Sequence, residues 1–131
     1  MLAKITVADY MSKRLVTLTK DTDVIDAVKK LLDHKITSAP VVDQRGHLLG
    51  IFSEKDVMNI VLETVYNQSM SGKVGDYMST EVISVDADSS IVDLAAKFQT
   101  SSIRSYPVFQ SNDLVGIVSR TDVLRALASN S

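Results

Sequence analysis

Cysteine is absent from the 131 residues of the chain. This absence excludes disulfide bonds, thiolate metal sites and a cysteine nucleophile. Aromatic residues are scarce, at 5%, and tryptophan is missing, so the core must come mainly from Val, Ile, Leu, Ala and Met. No uninterrupted apolar run is long enough to span a bilayer, and the first residues lack the apolar stretch of a signal peptide. We therefore expect a soluble, cytoplasmic protein.

An excess of charge of one sign is also missing. The 14 Lys and Arg residues are nearly balanced by 16 Asp and Glu residues, which gives a formal net charge of −2. No basic block interrupts this mixture, so we expect neither a nucleic acid nor an anionic membrane as a partner. Hydrophobic residues make up 45% of the chain, which is enough to form the core of one domain or of two very small ones.

Common catalytic motifs are missing as well. The sequence has no Ser/His/Asp order of a hydrolase, no G-x-x-x-x-G-K-S/T loop and no H-E-x-x-H helix. Its two histidines, His34 and His47, are predicted at a helix end and in a turn, where solvated side chains are expected. We therefore predict no catalytic residues, no metal site and no enzymatic activity.

What the chain does contain is an internal duplication. The segment Val7–Ser12 recurs as Val74–Ser79, with an offset of 67 positions from 7 to 74. Further along, Gly50–Asp56 recurs as Gly116–Asp122, with an offset of 66 positions from 50 to 116. Self-similarity of this kind indicates one structural unit written twice.

Each copy predicts the same order of elements. A short amphipathic turn is followed by a brief strand, a helix opened by capping residues, two β-rich runs around a turn, and a closing helix. The predicted fold class is therefore α/β (α+β), with two β-α-β-β-α repeats packed as a pseudo-twofold pair around a shared cleft. We predict the first strands at residues 15–18 and 82–85. The predicted domains are residues 7–62 and 74–128, joined by a linker at 63–73.

The start of the closing helix is the most informative stretch of each copy. Ser53 and Asp56 open the first closing helix, and Ser119 and Asp122 open the second. The sequence leaves two interpretations of this Ser-x-x-Asp spacing open. It is either a capping box, in which the acid reaches back to the helix start, or a ligand site. In a ligand site the serine and the helix amides would hold a phosphate, and the carboxylate would hold ribose hydroxyls.

These segments, in this order and present twice, resemble the cystathionine-β-synthase (CBS) domain pair, also called a Bateman module. The resemblance covers nearly the whole chain, about residues 7–62 and 74–128. It is carried by the Asp-Tyr-Met triplets, the runs around the two prolines and the Gly-x-x-Ser-x-x-Asp turns. These segments are residues 9–11 and 76–78, residues 39–43 and 103–108, and residues 50–56 and 116–122.

The resemblance implies that an adenine nucleotide, AMP, ADP or ATP, binds in the cleft and that no cofactor is required. In the family, the Ser and Asp of the turn contact phosphate and ribose, and residues before the strand proline flank the adenine. The matching positions are Ser53, Asp56, Ile36, Ala39 and Pro40 in the first copy, and Ser119, Asp122, Ile103, Tyr106 and Pro107 in the second. A hydroxyl from the first helix of the other copy, Thr22 or Ser89, completes each site.

The two predicted sites differ in charge. Arg104 and Arg120 lie near the second turn, and guanidinium groups are well suited to bind phosphate. The first turn has Thr37 and Glu54 at the same places. We therefore expect the second site to bind a nucleotide more tightly than the first.

Two functions fit this sequence. The first is a stand-alone regulatory module that binds an adenine nucleotide and signals by conformational change to an unidentified protein target. The alternative is a structural dimerisation or interaction module with no ligand, in which the turns are only helix caps. We also expect a homodimer with twofold symmetry, because the closing helices are apolar on more than one face.

Overall fold

The structure, a computed structural model, describes residues 2–67 and 72–131. Its helices are α1 Val7–Tyr10, α2 Val24–His34, α3 Glu54–Asn67, α4 Val74–Tyr77, α5 Ile91–Gln99 and α6 Arg120–Ser129. Its strands are β1 Ser38–Val42, β2 Leu48–Ser53, β3 Val85–Asp86, β4 Ser105–Gln110 and β5 Asp113–Ser119. This mixture of helices and strands confirms the predicted α/β (α+β) class. No helix within the described ranges is long and apolar enough to cross a membrane.

The strands form two sheets. In the first sheet, β1 pairs with β2 antiparallel, so that Ser38 lies opposite Ser53. In the second sheet the order is β3-β4-β5, with β3 parallel to β4 and β4 antiparallel to β5. Ser105 lies opposite Ser119 there. Each hairpin therefore ends on the serine that precedes a closing helix, so the sheet fixes where α3 and α6 begin.

The strand predicted at residues 15–18 is wrong. The structure has only a single parallel bridge there, between Leu18 and Val41. The ladder stops because the next residue turns away from it: the Thr19 amide donates to Thr22 Oγ1 at 3.2 Å, a local bond that competes with strand pairing. In the second copy the strand does form, but at Val85–Asp86, and thus later than the predicted 82–85.

The stretch predicted as a linker, residues 63–73, is partly helical. α3 continues to Asn67, since no Gly or Pro interrupts the chain before that residue. The Thr64 hydroxyl follows the helix by donating to the Ile60 carbonyl at 2.8 Å. Residues 68–71 of the predicted linker lie outside the described residues.

The chain forms two compact units that cut across the two copies. One unit combines the residues up to Leu15 with Ile83–Ser131, and the other is Val16–Val82. Val7, from the opening turn of the first copy, is buried in the core of the second copy. Val74, from the opening turn of the second copy, is buried in the core of the first. The repeat pattern did not predict this reciprocal exchange of opening turns.

A pair of β-bridges fixes the exchanged segments. Ser12 pairs with Ile117 of β5, with backbone N···O distances of 2.8 and 3.1 Å. Ser79 pairs in the same way with Ile51 of β2, with both N···O distances at 2.9 Å. Each opening segment therefore pairs with the residue that lies two positions before the serine of the Ser-x-x-Asp turn in the same unit.

Glycine is required beside each bridge because the exchanged backbone approaches so closely. A Cβ atom on Gly116 would lie 2.6 Å from the carbonyl oxygen of Ser12, and one on Gly50 would lie 2.6 Å from that of Ser79. Contacts this short are far inside van der Waals distance, and the obstructing atom is backbone. The glycine of each Gly-x-x-Ser-x-x-Asp motif thus makes room for the opening segment.

Each unit has its own core. In the unit that contains most of the second copy, the most deeply buried side chains include Tyr106, Val7, Leu94, Val108 and Val118. In the other unit they include Phe52, Val24, Val41 and Val74. These clusters hold the hairpins against the helices and so keep both closing helices in place.

Candidate functional site

The second Ser-x-x-Asp turn is the step from β5 to α6. Asp122 reaches back over the first turn of α6, and its Oδ2 accepts hydrogen bonds from the Ser119 amide at 2.8 Å and the Ser119 hydroxyl at 3.3 Å. Although it carries a charge, Asp122 is only 6% exposed. The acid therefore closes the start of α6 in the manner of a capping box.

Arg125 completes the surroundings of this buried acid. Arg125 lies one turn after Asp122 in α6, and its Nη2 pairs with Oδ1 of that acid. The same nitrogen donates to the Tyr10 carbonyl at 3.2 Å. Both oxygens of Asp122 thus have partners. Sequence reasoning missed Arg125, although an acid and an arginine three residues apart on a helix are a recognisable pair.

The first turn, from β2 to α3, repeats the same backbone arrangement. Asp56 Oδ2 accepts from the Ser53 amide at 2.8 Å and the Ser53 hydroxyl at 3.2 Å, and Asp56 is 8% exposed. Here, however, Asn59 stands where the second copy has Arg125. Burial raises the pKa of Asp56, against the lowering effect of the Ser53 hydrogen bonds and nearby Lys55.

The guanidinium of Arg120 is occupied by backbone carbonyls. Its Nη2 donates to the carbonyls of Phe98 at 2.7 Å and Ser101 at 2.8 Å, and its Nε donates to that of Ile103 at 3.1 Å. The guanidinium also lies 5.2 Å from the centre of the Phe98 ring, which is within cation–π distance. Arg120 therefore binds the end of α5 and the loop after it, and none of these contacts uses Nη1.

The residues before β1 and β4 are joined to the helix starts through the backbone. The amide of Arg120 donates to the carbonyl of Arg104 at 3.2 Å, and the amide of Glu54 donates to that of Thr37 at 3.0 Å. All four side chains are exposed. The structure therefore brings the predicted residues Arg104 and Thr37 next to the turns to which the sequence assigned them.

The predicted adenine-flanking residues are mostly buried. Tyr106 packs its ring 4.9 Å from that of Phe98, and its hydroxyl lies 3.0 Å from the Ser101 hydroxyl. Ala39, Pro40 and Pro107 are buried as well. The side chains that keep partial exposure beside the two turns are Ile36 and Ile103. Of the predicted adenine-flanking residues, these two isoleucines are the ones that present apolar surface without rearrangement of the core.

The two predicted hydroxyl residues lie at the starts of α2 and α5. Thr22 is half-buried, and its Oγ1 accepts from the Thr19 amide. Ser89 is half-buried, and its carbonyl accepts from the Val7 amide at 2.8 Å. Ser89 also lines an open groove of about 500 Å³ between β3 and the flank of α5. Thr22 belongs to the unit of the first turn and Ser89 to that of the second.

Metal-binding geometry is not found. Among residues 2–67 and 72–131, no group of three or more His, Cys, Asp or Glu side chains is placed to hold a metal ion. His47 lies in the turn between β1 and β2, where its Nδ1 is 3.2 Å from Asp43 Oδ2.

Comparison with known proteins identifies this arrangement. The family model described as CBS domain matches residues 7–63 and again residues 74–129. Together the two matches cover most of the chain, so the resemblance to the CBS domain pair is confirmed.

Solved structures of CBS domain pairs have the same fold along nearly the whole chain. The CBS domain pair of protein MJ0100, in complex with 5′-methylthioadenosine and S-adenosylmethionine, is 26% identical, with a TM-score of 0.83 over 96% of this chain and 98% of that one. CBSX2 in complex with AMP is 28% identical, with a TM-score of 0.83 over 95% and 97%. CBSX2 comes from Arabidopsis thaliana.

Matched proteins are often much longer than this chain. Protein MJ1225 of Methanocaldococcus jannaschii is 26% identical over 124 residues, which are 95% of this chain but 43% of that protein. The chain thus spans less than half the length of several curated relatives that it matches. In such relatives the matching region is one part of a larger protein.

Proposed function

This chain belongs to the CBS domain family, and on that premise we propose that it is a regulatory module that binds an adenosine-type ligand and signals to a partner protein. The observation that carries the proposal is the pair of Ser-x-x-Asp turns, each with a buried carboxylate at a helix start. A helix start offers amides and a favourable dipole to an anion, and a carboxylate accepts hydrogen bonds from ribose hydroxyls. AMP, 5′-methylthioadenosine and S-adenosylmethionine, bound by related pairs, share the adenosine group.

In the proposed complex, ribose hydroxyls donate to Asp56 or Asp122, and a phosphate accepts from the serine and the amides of the same turn. The serine hydroxyls now donate to these carboxylates at 3.2 and 3.3 Å. Rotation about the Cα–Cβ bond would release each hydroxyl toward a phosphate. No nucleophile or general base is needed for this role, so we propose a binding module and not an enzyme.

Binding is tested by thermal unfolding and isothermal titration calorimetry with AMP, ADP, ATP, 5′-methylthioadenosine and S-adenosylmethionine. A ligand present at about one hundred times its Kd should add about 2.7 kcal/mol to the free energy of unfolding. Cytidine monophosphate, which has ribose and phosphate but no adenine, is the matched control. The absence of both heat and stabilisation with every adenosine ligand would overturn the proposal.

Site residues are tested with Asp122→Ala and Asp56→Ala. We expect Asp122→Ala to weaken AMP binding about tenfold, the equivalent of one hydrogen bond of about 1.4 kcal/mol, and Asp56→Ala to weaken it less. Asp113→Ala, at the exposed start of β5, is the control and should leave binding unchanged. If Asp56→Ala abolished AMP binding while Asp122→Ala did not, the ranking of the two sites would be reversed.

A second candidate function is a structural interaction module that holds no ligand. It is favoured by the hydrogen bonds of the turns themselves, since Asp122 is satisfied by Ser119 and Arg125, and Arg120 is satisfied by carbonyls. This function predicts that substitutions at the turns change stability alone. The calorimetric titrations above separate it from the ligand-binding function.

For either function we propose a second copy of the chain as a partner. α3 exposes an apolar stripe formed by Met58, Val61, Leu62, Val65 and Tyr66. Their spacing places them on one face of the helix, and α6 repeats its first two positions with exposed Leu124 and Leu127. A twofold dimer would cover such a self-complementary surface.

Assembly is tested by sedimentation velocity. The single chain has a mass of 14.3 kDa, and we expect twice that mass at tens of micromolar. Leu62→Glu, in the middle of the stripe, should shift the protein to the monomer, whereas Glu63→Gln, its exposed neighbour, should not. A wild-type protein that remains a monomer would exclude the dimer.

Two expectations remain predictions from composition: a cytoplasmic location and the lack of a nucleic-acid partner. The second is tested directly by a DNA gel shift. Binding to DNA depends on basic surface and weakens steeply with salt, so the balanced charge of this chain predicts no shift at physiological salt. A salt-sensitive shift at micromolar protein would contradict it.

A further inference from the structure

Corresponding positions around the two turns carry different charges. The first turn is surrounded by Thr37, Glu54, Lys55, Asp56 and Asn59, and the second by Arg104, Arg120, Thr121, Asp122 and Arg125. The first set has two acids and one base, hence one net negative charge. The second has one acid and three bases, hence two net positive charges. The same backbone geometry is therefore placed in two opposite electrostatic environments.

The structure places these charges at the turns themselves. Glu54 and Arg120 are the first residues of α3 and α6, and their amides bond to the carbonyls of Thr37 and Arg104. Arg125 contacts Asp122 directly, whereas Asn59 brings no charge to Asp56. Most of these side chains are exposed, so they act on a ligand at the turn through short-range attraction or repulsion that salt screens.

We propose that the two turns select adenosine ligands of different charge. The second turn takes a phosphate ester such as AMP, and the first takes an adenosine derivative without phosphate, neutral or cationic, such as 5′-methylthioadenosine or S-adenosylmethionine. This inference rests on the function proposed above, because it assigns a ligand class to each of those sites.

The acidic first turn supports this division. Asp56 is buried and has no arginine beside it, and the energetic cost of burying its charge is what raises its pKa. A positively charged ligand group would offset that cost, whereas a phosphate would add like charge beside Glu54 and Asp56. At the second turn the arginines invert this preference. Arg120 keeps its positive charge there even while its Nε and Nη2 contact carbonyls.

The first experiment is calorimetric titration of the wild-type chain with AMP and S-adenosylmethionine at about 50 and 500 mM salt. Opposite charges attract less strongly at high salt, so both affinities should fall as salt is raised. We expect one AMP and one S-adenosylmethionine per chain, and saturation with AMP should leave the affinity for S-adenosylmethionine within about twofold. Competition of the two ligands for a single site would overturn the proposal.

The second experiment exchanges residues between the two copies. Arg104→Thr gives the second turn the residue of the first, and should weaken AMP binding about tenfold while leaving S-adenosylmethionine unchanged. Thr37→Arg gives the first turn the residue of the second. This variant should weaken S-adenosylmethionine about tenfold and create a second AMP site. Neither substitution removes a hydrogen bond described above, since Arg104 and Thr37 contribute backbone carbonyls to the helix starts.

A matched control removes the same charge elsewhere. Arg45→Thr lies in the turn after β1, at the opposite end of that hairpin from Ser53, and should change neither affinity. Two results overturn this inference while leaving the proposed function intact: both ligands bind but respond equally to Arg104→Thr, or Arg45→Thr has the same effect as Arg104→Thr. If neither probe binds to the wild-type chain, the proposed function and this inference fail together.

Discussion

The two copies end their first helices in different ways. α2 is capped by Lys35, which adopts a left-handed conformation with φ of 54° and donates its amide to the carbonyls of Leu31 and Leu32. The amide of Ile36 also bonds to the Leu31 carbonyl at 3.0 Å. α5 is capped by Thr100, with φ of −98°, and the side chain of Arg120 donates to the carbonyls of Phe98 in the helix and of Ser101 and Ile103 in the loop after it. The helix end is therefore satisfied by backbone amides in the first copy, whereas in the second copy the Thr100 hydroxyl and the distant Arg120 side chain add to the backbone bonds.

This difference shows that residues of the proposed ligand sites also stabilise the fold. Arg120 stands at the start of α6, where a cation opposes the helix dipole, and its contacts with the end of α5 give it a structural reason to be there. Glu54, the corresponding residue, is exposed and favoured by the dipole at the start of α3. The copies thus share a backbone and differ in which side chains stabilise it, and the proposed difference in ligand preference depends on that freedom.

The largest effect is expected where the copies are alike. Gly116→Ala and Gly50→Ala would each place a methyl group 2.6 Å from a backbone carbonyl of the exchanged segment. Each should lower the free energy of unfolding by about 2–3 kcal/mol, measured by urea denaturation. Ile117→Val, next to Gly116 in β5, is the control, with a loss of about 1 kcal/mol or less. If the two glycine variants lost clearly different amounts of free energy of unfolding, the two units would differ in how well they tolerate displacement of their opening segments.

The next effect separates the copies. Arg120→Ala removes the hydrogen bonds to the carbonyls of Phe98, Ser101 and Ile103, and we expect it to cost about 1–2 kcal/mol, since the side chain is exposed and its bonds are partly screened. Glu54→Ala should cost less than about 0.5 kcal/mol. Hydrogen exchange of residues 98–103 should accelerate in the arginine variant alone. Unchanged exchange there would contradict a capping role for Arg120.

The two aspartates should also respond differently to neutralisation. Asp122→Asn loses the ion pair with Arg125 and should cost about 1 kcal/mol at neutral pH. Asp56→Asn removes a buried charge that has no arginine beside it, and its amide oxygen still accepts from Ser53. We therefore expect Asp56→Asn to stabilise the protein at neutral pH. Denaturation of both variants beside wild type checks this, and equal losses would contradict it.

The stabilisation by Asp56→Asn should depend on pH. Because burial raises the pKa of Asp56 in the folded protein above the ordinary 3.8, the folded chain holds this proton more tightly than the unfolded chain. Its contribution to stability is present below the ordinary pKa and is lost as pH rises through the raised value. The advantage of Asp56→Asn should thus be greatest near pH 7 and shrink toward about pH 4. An advantage that grows on acidification would show that the pKa is lowered instead.

Much of the fold and part of the site follow from short-range patterns in the sequence. The duplication predicted two equivalent bodies, helical spacing predicted the long helices, and the Ser-x-x-Asp spacing predicted the geometry at Asp56 and Asp122. These features depend on residues within one or two turns of each other. The contact of Arg125 with Asp122 was missed, but it is also a short-range feature, since the two residues are three positions apart on α6.

Other features depend on contacts between distant residues, and for that reason the sequence did not predict them. Arg120 reaches carbonyls 17 to 22 residues away, and no local motif indicates such a partner. The burial of Val7 and Val74 in each other's copies also joins distant segments. The hydrophobic pattern of an opening turn is the same in both copies, so it does not indicate which core buries the turn. Tyr106 was predicted to flank adenine, whereas the structure buries its ring against Phe98.

The smallest effect tests the helix ends directly. The left-handed backbone of Lys35 is strained for a residue with a side chain, and glycine adopts it without strain. Lys35→Gly should therefore stabilise the chain by about 0.5–1 kcal/mol, although glycine has more conformational freedom in the unfolded chain. Thr100 has an ordinary negative φ, so Thr100→Gly brings no such relief and should cost about 0.5–1 kcal/mol. Urea denaturation of both variants gives the comparison.

The double variant Arg120→Ala with Thr100→Gly then tests whether α5 accepts a backbone cap once the arginine is gone. A double variant more stable than Arg120→Ala alone would show that either copy can use either way of ending its helix. A loss equal to the sum of the two single losses would show that the second copy depends on its arginine.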